Sequence, residues 1–492
     1  MTGNDLDPYD IPEVLNEYEA LVEYISPATD HSISTVTPPP EPEEELVVKQ
    51  QVDYLNLPGL RTLCDPAKGR TRINVRVEQL LPTLCPECGA GTDKLKGNGT
   101  RRQFLLDEPR GSLGVRIDLR RRSFSCKACG TSKLVPLDCL AEGRRMTRRL
   151  ELYIQRKSLL RPFGEIAQET GVSPKTVREI FNDYIQTLEC EREEKCPMPR
   201  VLGLDGVYIN SKERAILTDP ERGLVIDLVP NVIAKVLGTA LRSMSGCERV
   251  EVVTLDMSNG LRSAVSYAFP RAAIVIDRYH IQRMANESVD RVRHRLRKEI
   301  KRTRGGVQMC HRKLLRKHRN QFTPGEQMER EQYFKLFPEL KLAYETKEAF
   351  FDLWRATGSV AAKAQYEEWR VACPSQVVSD FKPLLTAMEN WGEYIFNYFD
   401  HPYTNAFTEA SNRRIKDIQR EGRGGSFRTV RAKAIFGTLL RQELKDAREQ
   451  EPGYAKRRGT PRAKGPRLKE AEASTHAVST RQRPVGLQLY LF

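Results

Sequence analysis

The fold is decided by the stretch Val201-Leu-Gly-Leu-Asp-Gly-Val-Tyr-Ile209. Its apolar residues lie on both sides of Asp205 and predict a buried strand. The residues that follow predict, in order, two strands, a helix, a strand, a helix and a strand: 214–218, 223–229, 231–244, 250–255, 260–269 and 272–276. Because the later strands return through helical crossovers, this order predicts a mixed sheet in an α/β domain.

Two aspartates of this predicted sheet are candidates for metal binding. Asp205 lies within the first strand, where its charge is costly to bury unless a cation compensates it. Asp256 comes directly after the strand at 250–255 and would face a cleft at the end of that strand. Each aspartate taken alone is more simply a turn or capping residue, but together they indicate a site. His280 follows the next strand and is expected near the site, with capping or packing as an equal alternative.

A third carboxylate is expected from a helix that packs against the sheet. The pattern after residue 404 is helical, and one polar face of that helix carries four residues: Glu409, Asn412, Arg413 and Lys416. Alone, this face would be assigned to solvent. Beside the two aspartates, it predicts Asp205, Asp256 and Glu409 as ligands of two Mg²⁺ (or Mn²⁺) ions, with cations alongside for a phosphate backbone.

Two C-x-x-C pairs precede the sheet, Cys85-Pro-Glu-Cys88 and Cys126-Lys-Ala-Cys129, each followed by glycine. Two-residue spacing lets both thiolates of a turn bind one ion, and four thiolates complete a tetrahedral, structural Zn²⁺ site. Strands predicted around Phe104 and Val115 separate the pairs, so the unit is zinc-ribbon-like. The alternative is a set of buried thiols. Cys139 is a possible substitute ligand but more simply a core residue.

Residues 161–181 have the pattern of a helix-turn-helix unit. Gly171 permits the turn, Ser173 caps the second helix and Pro174 occupies its first position. Four residues would then face outward near the start of a recognition helix: Lys175, Thr176, Arg178 and Glu179. The first three are predicted to contact DNA. The alternative is a small helical domain that packs on its neighbour, which the basic segment at 144–149 disfavours.

From residue 278 to about residue 398 the sequence shows only helical periodicity. Within this region, residues 291–319 contain thirteen Lys or Arg and a single acid, Glu299. Such a density repels itself unless phosphates or counterions neutralise it, so it predicts contact with the DNA backbone rather than a solvated face. Four residues are predicted to make this contact: Arg293, Arg295, Arg297 and Lys298.

Composition limits the possible functions. Residues 1–46 contain twelve Asp or Glu and no Lys or Arg, while the rest carries all 80 Lys and Arg against 53 Asp and Glu, a net +27. This excess indicates a polyanionic partner. No apolar run approaches the ~20 residues that span a bilayer, which excludes an integral membrane protein, and no signal-peptide pattern is seen, which predicts a cytoplasmic protein. No G-x-x-x-x-G-K-[ST] motif supports ATP-driven chemistry.

These motifs together resemble the DDE transposases of bacterial insertion sequences, specifically the ISL3 type. The resemblance covers about residues 50–445 and rests on the cysteine pairs, the helix-turn-helix and five further segments: Leu204-Asp205-Gly206, Thr254-Leu-Asp256-Met257, Asp277-Arg-Tyr-His280, Thr404-Asn-Ala-Phe-Thr-Glu-Ala-Ser-Asn-Arg-Arg-Ile-Lys416 and Arg423-Gly-Gly-Ser-Phe427. It implies an RNase H-like core in which Asp205, Asp256 and Glu409 are the three residues that bind the metal ions. The auxiliary residues would be His280, Asn412 and Lys416. Ala410 stands where such proteins often have Gly.

The predicted organisation is a multidomain α/β protein with seven parts: an acidic mobile arm at 1–46, a zinc-binding domain at 47–140, a helix-turn-helix domain at 141–195, an RNase H-like mixed-sheet core at 200–284, an all-helical insertion at 285–400, the last core helices at 401–450 and a basic tail at 451–492. The resemblance implies a nucleoid-associated bacterial enzyme that binds terminal inverted repeats in double-stranded DNA, cleaves there and joins the ends to target DNA. A homodimer would hold both ends. The alternatives are a zinc-containing DNA-binding regulator with an inactive RNase H-like domain and a structure-specific nuclease without strand joining.

Overall fold

The computed structural model of the chain describes residues 54–192, 197–303, 311–423 and 425–450. The predicted acidic arm and the predicted basic tail lie outside these ranges. Among the helices of the described residues, none has both the length and the apolar character that a membrane span needs.

The first sheet is formed by the residues that precede position 135. It has six strands: β1 Leu60–Thr62, β2 Ala67–Lys68, β3 Arg72–Gln79, β4 Leu95–Arg110, β5 Leu113–Cys126 and β6 Ser132–Leu134. The predicted strands around Phe104 and Val115 are confirmed as the long antiparallel hairpin of β4 and β5, and β3 pairs in parallel with β5. Alternate residues of β3 are apolar and buried, so one face of this sheet packs on a core of its own.

Three helices follow the first sheet: α1 Arg148–Ser158, α2 Phe163–Thr170 and α3 Pro174–Cys190. The predicted turn is confirmed, because Gly171 has φ +75°, a conformation that favours glycine. The predicted cap is also confirmed: the Ser173 side chain accepts a hydrogen bond from Thr176 N, and Pro174 opens α3. The helices enclose a small core that contains Ile166, Val177 and Ile180.

The second sheet is the predicted mixed sheet. Its strands are β7 Val201–Ile209, β8 Lys212–Asp219, β9 Leu224–Val229, β10 Val252–Leu255 and β11 Ala273–Ile276, with helices α4 Ala234–Arg242 and α5 Asn259–Ala268 in the crossovers. The spatial order is β11-β10-β7-β8-β9. β11, β10 and β7 run parallel, while β7, β8 and β9 are antiparallel neighbours. The order βββαβαβ is therefore confirmed.

The next region is helical, as its periodicity predicts. It contains α6 Arg278–Thr303, α7 Arg312–Arg316, α8 Pro324–Leu336, α9 Pro338–Asp352, α10 Ser359–Ala372 and α11 Val378–Phe396. The predicted boundary between residues 284 and 285 falls inside α6. Trp369 and Trp391 are buried in a core that is continuous with one face of the second sheet.

Two more helices, α12 Ala406–Glu421 and α13 Phe427–Gln450, cover the other face of the second sheet. Ile415 of α12 and Ile435 of α13 share a core with Ile216 of β8 and with Phe181 of α3. The second sheet thus lies between two helical layers, and the helix-turn-helix unit packs on one of them.

Candidate active site

Strand register places three aspartates side by side. Leu255 of β10 is paired with Leu204 of β7 and with Ile276 of β11, all in parallel register. Asp205, Asp256 and Asp277 each follow directly after this row. Neighbouring strands are about 4.8 Å apart, so the three residues lie at the same level of the sheet and on the same face.

A glycine lets α12 approach this face closely. A Cβ atom at Gly203 would collide with the hydroxyl groups of Thr218 and Thr408. These two buried hydroxyls form a hydrogen bond of 2.8 Å between β8 and α12. Because Gly203 and Asp205 are two residues apart on β7, they share a face of the sheet, and Glu409 follows Thr408 on α12.

His280 lies between two of the predicted catalytic carboxylates. Its Nε2 atom is 3.0 Å from Asp256 Oδ1 and 3.3 Å from Glu409 Oε1. Nε2 is buried and is aligned for a good hydrogen bond with neither oxygen, so the contact is an ion pair when the imidazole is protonated. The side chain of His280 is 12% exposed, which strengthens this ion pair.

Asn412 connects Asp205 to α12. Its Nδ2 atom donates a hydrogen bond of 2.6 Å to Asp205 Oδ2 and lies 3.4 Å from the carbonyl oxygen of Gly206. Asp205 Oδ1 accepts from Gly206 N at 2.7 Å. The structure therefore connects Asp205, Asp256 and Glu409 through the side chains of His280 and Asn412.

Asn405 is a residue of this site that the sequence pattern did not single out. It is completely buried just before α12, and its Nδ2 atom donates to Asp256 Oδ1 at 3.3 Å. Its backbone N–H donates to Asp277 Oδ2 at 3.1 Å, and its carbonyl oxygen accepts from Glu409 N at 2.9 Å. The sequence signal that could have identified Asn405 was its position next to Thr404, just before the predicted helix. Asn405 thus connects both strand-end aspartates to α12.

The charges of the site are unevenly compensated. Burial raises the pKa of Asp205 to about 6, and the negative charge of Asp256 acts in the same direction. Burial also disfavours ionisation of Asp256, but the contact with His280 and the Asn405 amide outweigh it and lower the pKa of Asp256. The contact with Asp256 raises the pKa of His280 against the effect of burial. Of these two aspartates, Asp205 therefore has the less favourable surroundings for its negative charge.

These residues fit a divalent cation of the hard type. The donors are carboxylates on three different elements, and carboxylate and amide oxygens are the ligands that Mg²⁺ prefers. The amide oxygens of Asn405 and Asn412 are buried and have no hydrogen-bond partner among the described residues. Burial and the neighbouring Asp256 disfavour the negative charge of Asp205, and a bound cation would compensate it. Asp205, Asp256 and Glu409 are the predicted ligands, but their oxygen atoms do not all lie within 4.8 Å of one another, so sharing one ion would require the side chains to move closer.

The four cysteines form a second cluster in the first sheet region. Cys85 Sγ lies 3.8 Å from Cys129 Sγ, and Cys88 Sγ lies 3.8 Å from Cys126 Sγ. A tetrahedral zinc site with Zn–S bonds of about 2.3 Å has sulfur–sulfur edges of about 3.8 Å, so the cluster is compatible with zinc binding. In the described ranges it is the one group of at least three possible ligands whose donor atoms all lie within 4.8 Å of one another. Cys139 is partly buried against the neighbouring core instead.

Both cysteine turns have the same backbone conformation. Gly89 N donates to Cys85 O, and Gly130 N donates to Cys126 O, each at 2.9 Å. Gly89 has φ +70° and Gly130 has φ +74°. The glycine after each pair is therefore required by a left-handed turn.

Two family comparisons match this architecture. Residues 202–434 match the DDE model of the ISL3 type, described as a transposase. Residues 135–185 match the model described as the helix-turn-helix domain of transposase family ISL3. The chain belongs to the ISL3 family of transposases. No curated protein matches it.

Family membership sets the general function of the chain. An ISL3 transposase with a helix-turn-helix domain acts on DNA, and DDE transposases use divalent metal ions. The matched DDE range contains Asp205, Asp256 and Glu409, and the helix-turn-helix range contains α1, α2 and most of α3. The family resemblance drawn from the sequence is thus confirmed.

The predicted recognition residues lie at the start of α3. Lys175 and Arg178 are exposed, and no ion pair within the described residues holds either of them. Thr176 is partly buried, and its hydroxyl lies 2.9 Å from the Ser173 hydroxyl within the cap. The nearby basic segment at 144–149 is less available for contact with DNA than its composition indicates. Arg144 pairs with Asp183 at 2.6 Å, and Arg149 pairs with the buried Asp107.

The four residues of α6 that are predicted to contact phosphates fall into two groups: two pair with acids of the protein, and two are exposed. Arg293 is 8% exposed and pairs with Asp290 at 2.7 Å. Arg295 pairs with Glu339 at 2.7 Å and with Asp380 at 2.8 Å. Arg297 and Lys298 are exposed. Lys416 is also exposed, and within the described part of the chain no hydrogen bond or ion pair ties it to the three carboxylates.

Proposed function

We propose that this chain is an active DDE transposase that binds the terminal inverted repeats of its own element, cleaves at the element ends and joins the freed 3′-hydroxyls to target DNA. One observation carries the proposal: the His280 imidazole bridges Asp256 and Glu409, which are distant in sequence and lie on different elements. Asp205, next to Asp256 in the sheet, completes the proposed triad.

The proposed domain organisation follows the predicted parts. A mixed sheet with the order β11-β10-β7-β8-β9 and helices on both faces supports an RNase H-like core formed by residues 200–284 and 401–450. The helices at 285–400 would be an insertion in this core. Residues 47–140 would be a zinc-ribbon-like domain and residues 141–195 the helix-turn-helix domain.

The side chains of the site have distinct roles in the proposed reaction. Asp205, Asp256 and Glu409 hold two Mg²⁺ or Mn²⁺ ions. When bound, such a pair lowers the pKa of an attacking water or 3′-hydroxyl and stabilises the leaving oxygen of an in-line phosphoryl displacement. Asn412 orients the carboxylate of Asp205, and His280 keeps the other two carboxylates close together in the metal-free protein.

DNA would be held on several surfaces. Lys175, Thr176 and Arg178 support recognition in the major groove, because they lie at the start of the second helix of the helix-turn-helix. Arg297 and Lys298 support contact with the phosphate backbone. We further propose a homodimer, because a transposase must hold two ends at once.

End cleavage by the purified full-length protein tests the proposal. A labelled duplex with an inverted repeat from beside the coding region is incubated with Mg²⁺ or with a chelator, and a duplex of scrambled sequence is the control. The proposal expects cleavage at the end and joining to a second duplex. Binding without cleavage would support the regulator, and cleavage without joining would support the nuclease.

A further inference from the structure

A cavity of about 260 Å³ lies behind the helix that carries Glu409. It is enclosed by α12, α13 and β9, and ten residues line it: Val225, Phe407, Ala410, Ser411, Arg414, Ile415, Lys433, Ala434, Thr438 and Arg441. Ala410 is exposed, so the cavity is reachable from solvent. Phe407, Ser411 and Arg414 recur at helical spacing on the opposite side of α12 from Glu409, so this cavity is separate from the three carboxylates.

Three cations line the cavity, and none of the lining residues is an acid. The Nε atom of Arg414 is buried and has no hydrogen-bond partner in the part of the chain that the structure describes. Arg441 donates to Gly437 O at 3.3 Å in its own helix, and Lys433 donates to Arg161 O at 2.7 Å. No ion pair within the described residues joins any of these cations to a carboxylate.

This arrangement is costly for the free protein. Burial lowers the pKa of Lys433 to about 8, with Glu421 opposing the shift and Arg414 adding to it. Burial also lowers the pKa of Arg441, and the charge of Arg414 acts in the same direction. Lys433 has the carbonyl oxygen of Arg161 and the ring of Phe163 as neighbours, but within the described residues no carboxylate pairs with it or with the two partly buried arginines. The positive charge of the cavity is therefore unbalanced, and a bound anion would compensate it.

The cavity also lies at the junction between two functional parts. Lys433 contacts the carbonyl oxygen of Arg161, in the segment between α1 and α2. A Cβ atom added at Gly437 of α13 would lie only 3.0 Å from Leu159 O. α13 is therefore in close contact with the helix-turn-helix unit, and α12 carries Glu409 on its other side. The cavity therefore lies between the helix-turn-helix unit and the helix that carries Glu409.

We propose that the cavity lined by Arg414, Lys433 and Arg441 binds a phosphate group, supplied by the DNA strand that runs from the helix-turn-helix unit towards the carboxylates. The DNA source rests on the proposed function. Inorganic phosphate has the same chemistry and is the second source that the experiment distinguishes. Guanidinium groups bind phosphate oxygens in a bidentate manner, which suits the two arginines.

Two variants test the site in the full-length protein, Arg414→Gln and Arg441→Gln. Neither arginine bonds to another element of the described structure, so neither loss should disturb packing. Arg420→Gln is the matched control, because Arg420 also lies on α12 but is 77% exposed outside the cavity. Each protein is measured in two ways: the salt dependence of binding to an element-end duplex, and the melting temperature in inorganic phosphate against chloride at equal ionic strength.

If DNA supplies the phosphate, each cavity variant lowers the slope of log K against log salt by about 0.9, and the control does not. If free phosphate is the ligand, phosphate raises the melting temperature of the wild type and the control but not of the variants, with the salt slopes unchanged.

In chloride, the variants should melt no lower than the wild type, because a repelling charge is lost. If neither effect appears, or if the control changes the slope equally, the proposal is wrong. Neither readout requires cleavage, so a protein that binds without cutting would refute the proposed function and leave this result standing.

Discussion

Asn412 donates a hydrogen bond of 2.6 Å to Asp205 Oδ2, although 207 positions separate the two residues in the sequence. The bond joins α12 to the central strand of the second sheet. A helix that carries one proposed ligand is thereby held in register with a strand that carries another. Outer side chains that orient a ligand contribute substantially to metal affinity and activity.

Replacement of Asn412 by alanine should slow end cleavage about 10- to 100-fold, because the Asp205 carboxylate loses its orientation. Binding to the end duplex should be unchanged, since Asn412 is not expected to contact DNA. Cleavage rates and duplex affinity are measured on the same preparation, with Asp417→Ala on the exposed side of α12 as control. A normal cleavage rate in Asn412→Ala would show that this bond has no role in the reaction.

Glu409→Gln should stop cleavage, by a factor of about 10³ or more, because an amide removes the negative charge that binds the cation. The substitution keeps the shape of the side chain and should leave duplex binding intact. Cleavage and gel-shift assays with Mg²⁺ and with Mn²⁺ measure the two effects. Retained cleavage would remove Glu409 from the triad.

The stability of the metal-free protein should depend on the protonation of Asp205. Its pKa in the folded chain, about 6, lies above the ordinary value of 3.8, so the folded state binds the proton more tightly than the unfolded state. The contribution to stability is complete below pH 3.8 and is lost as the pH rises through 6, at most about 3 kcal/mol. Thermal unfolding in a chelator between pH 4 and 7 measures it.

Asp205→Asn supplies the matched comparison for this pH dependence. The variant should lose the decrease in stability between about pH 4 and 6, because the asparagine does not ionise. At pH 7, Mg²⁺ should raise the melting temperature of the wild type, because the cation compensates the ionised carboxylate, and should have a smaller effect on the variant. Equal Mg²⁺ effects in both proteins would argue against Asp205 as a ligand.

The sheet and its acidic residues could be predicted because their signals are local. The apolar run around Asp205 and the alternation of strands and helices specify the mixed sheet, and parallel pairing then aligns Asp256 with Asp205. The turns could also be predicted from the sequence, because Gly171 and the glycines after the cysteine pairs adopt the left-handed backbone conformation that their positions require.

Contacts between distant segments could not be predicted from such local patterns. The basic run at 291–319 contains one acid in the sequence, but Glu339 and Asp380 from other helices neutralise its Arg295 in the fold. Asn405 shows the same limitation: its burial and its bonds to Asp256 and Asp277 arise only once α12 packs on the sheet. Charge counts along a helix do not record which partners the tertiary structure brings.

Cys88→Ser should lose zinc and weaken binding to the element end, because three thiolates hold the ion less well and the first sheet loses a crosslink. Cys64→Ser is the control, since Cys64 is exposed and outside the cluster. Elemental analysis measures the zinc content, and a gel shift measures binding. Full zinc content in Cys88→Ser would exclude a four-cysteine site.

The two groups of basic residues on α6 should respond differently to neutralisation. Arg297→Gln with Lys298→Gln should lower the salt slope of duplex binding by about 0.9 for each phosphate that the protein no longer neutralises, and should leave stability unchanged because both side chains are exposed. Arg295→Gln should instead lower the free energy of unfolding by roughly 1 to 3 kcal/mol, because the buried Asp380 loses a charged partner. Salt titrations of binding and chemical denaturation of the same variants measure both quantities. An unchanged slope in the double variant would assign Arg297 and Lys298 to a solvated face, and an unchanged stability in Arg295→Gln would release that arginine for contact with DNA.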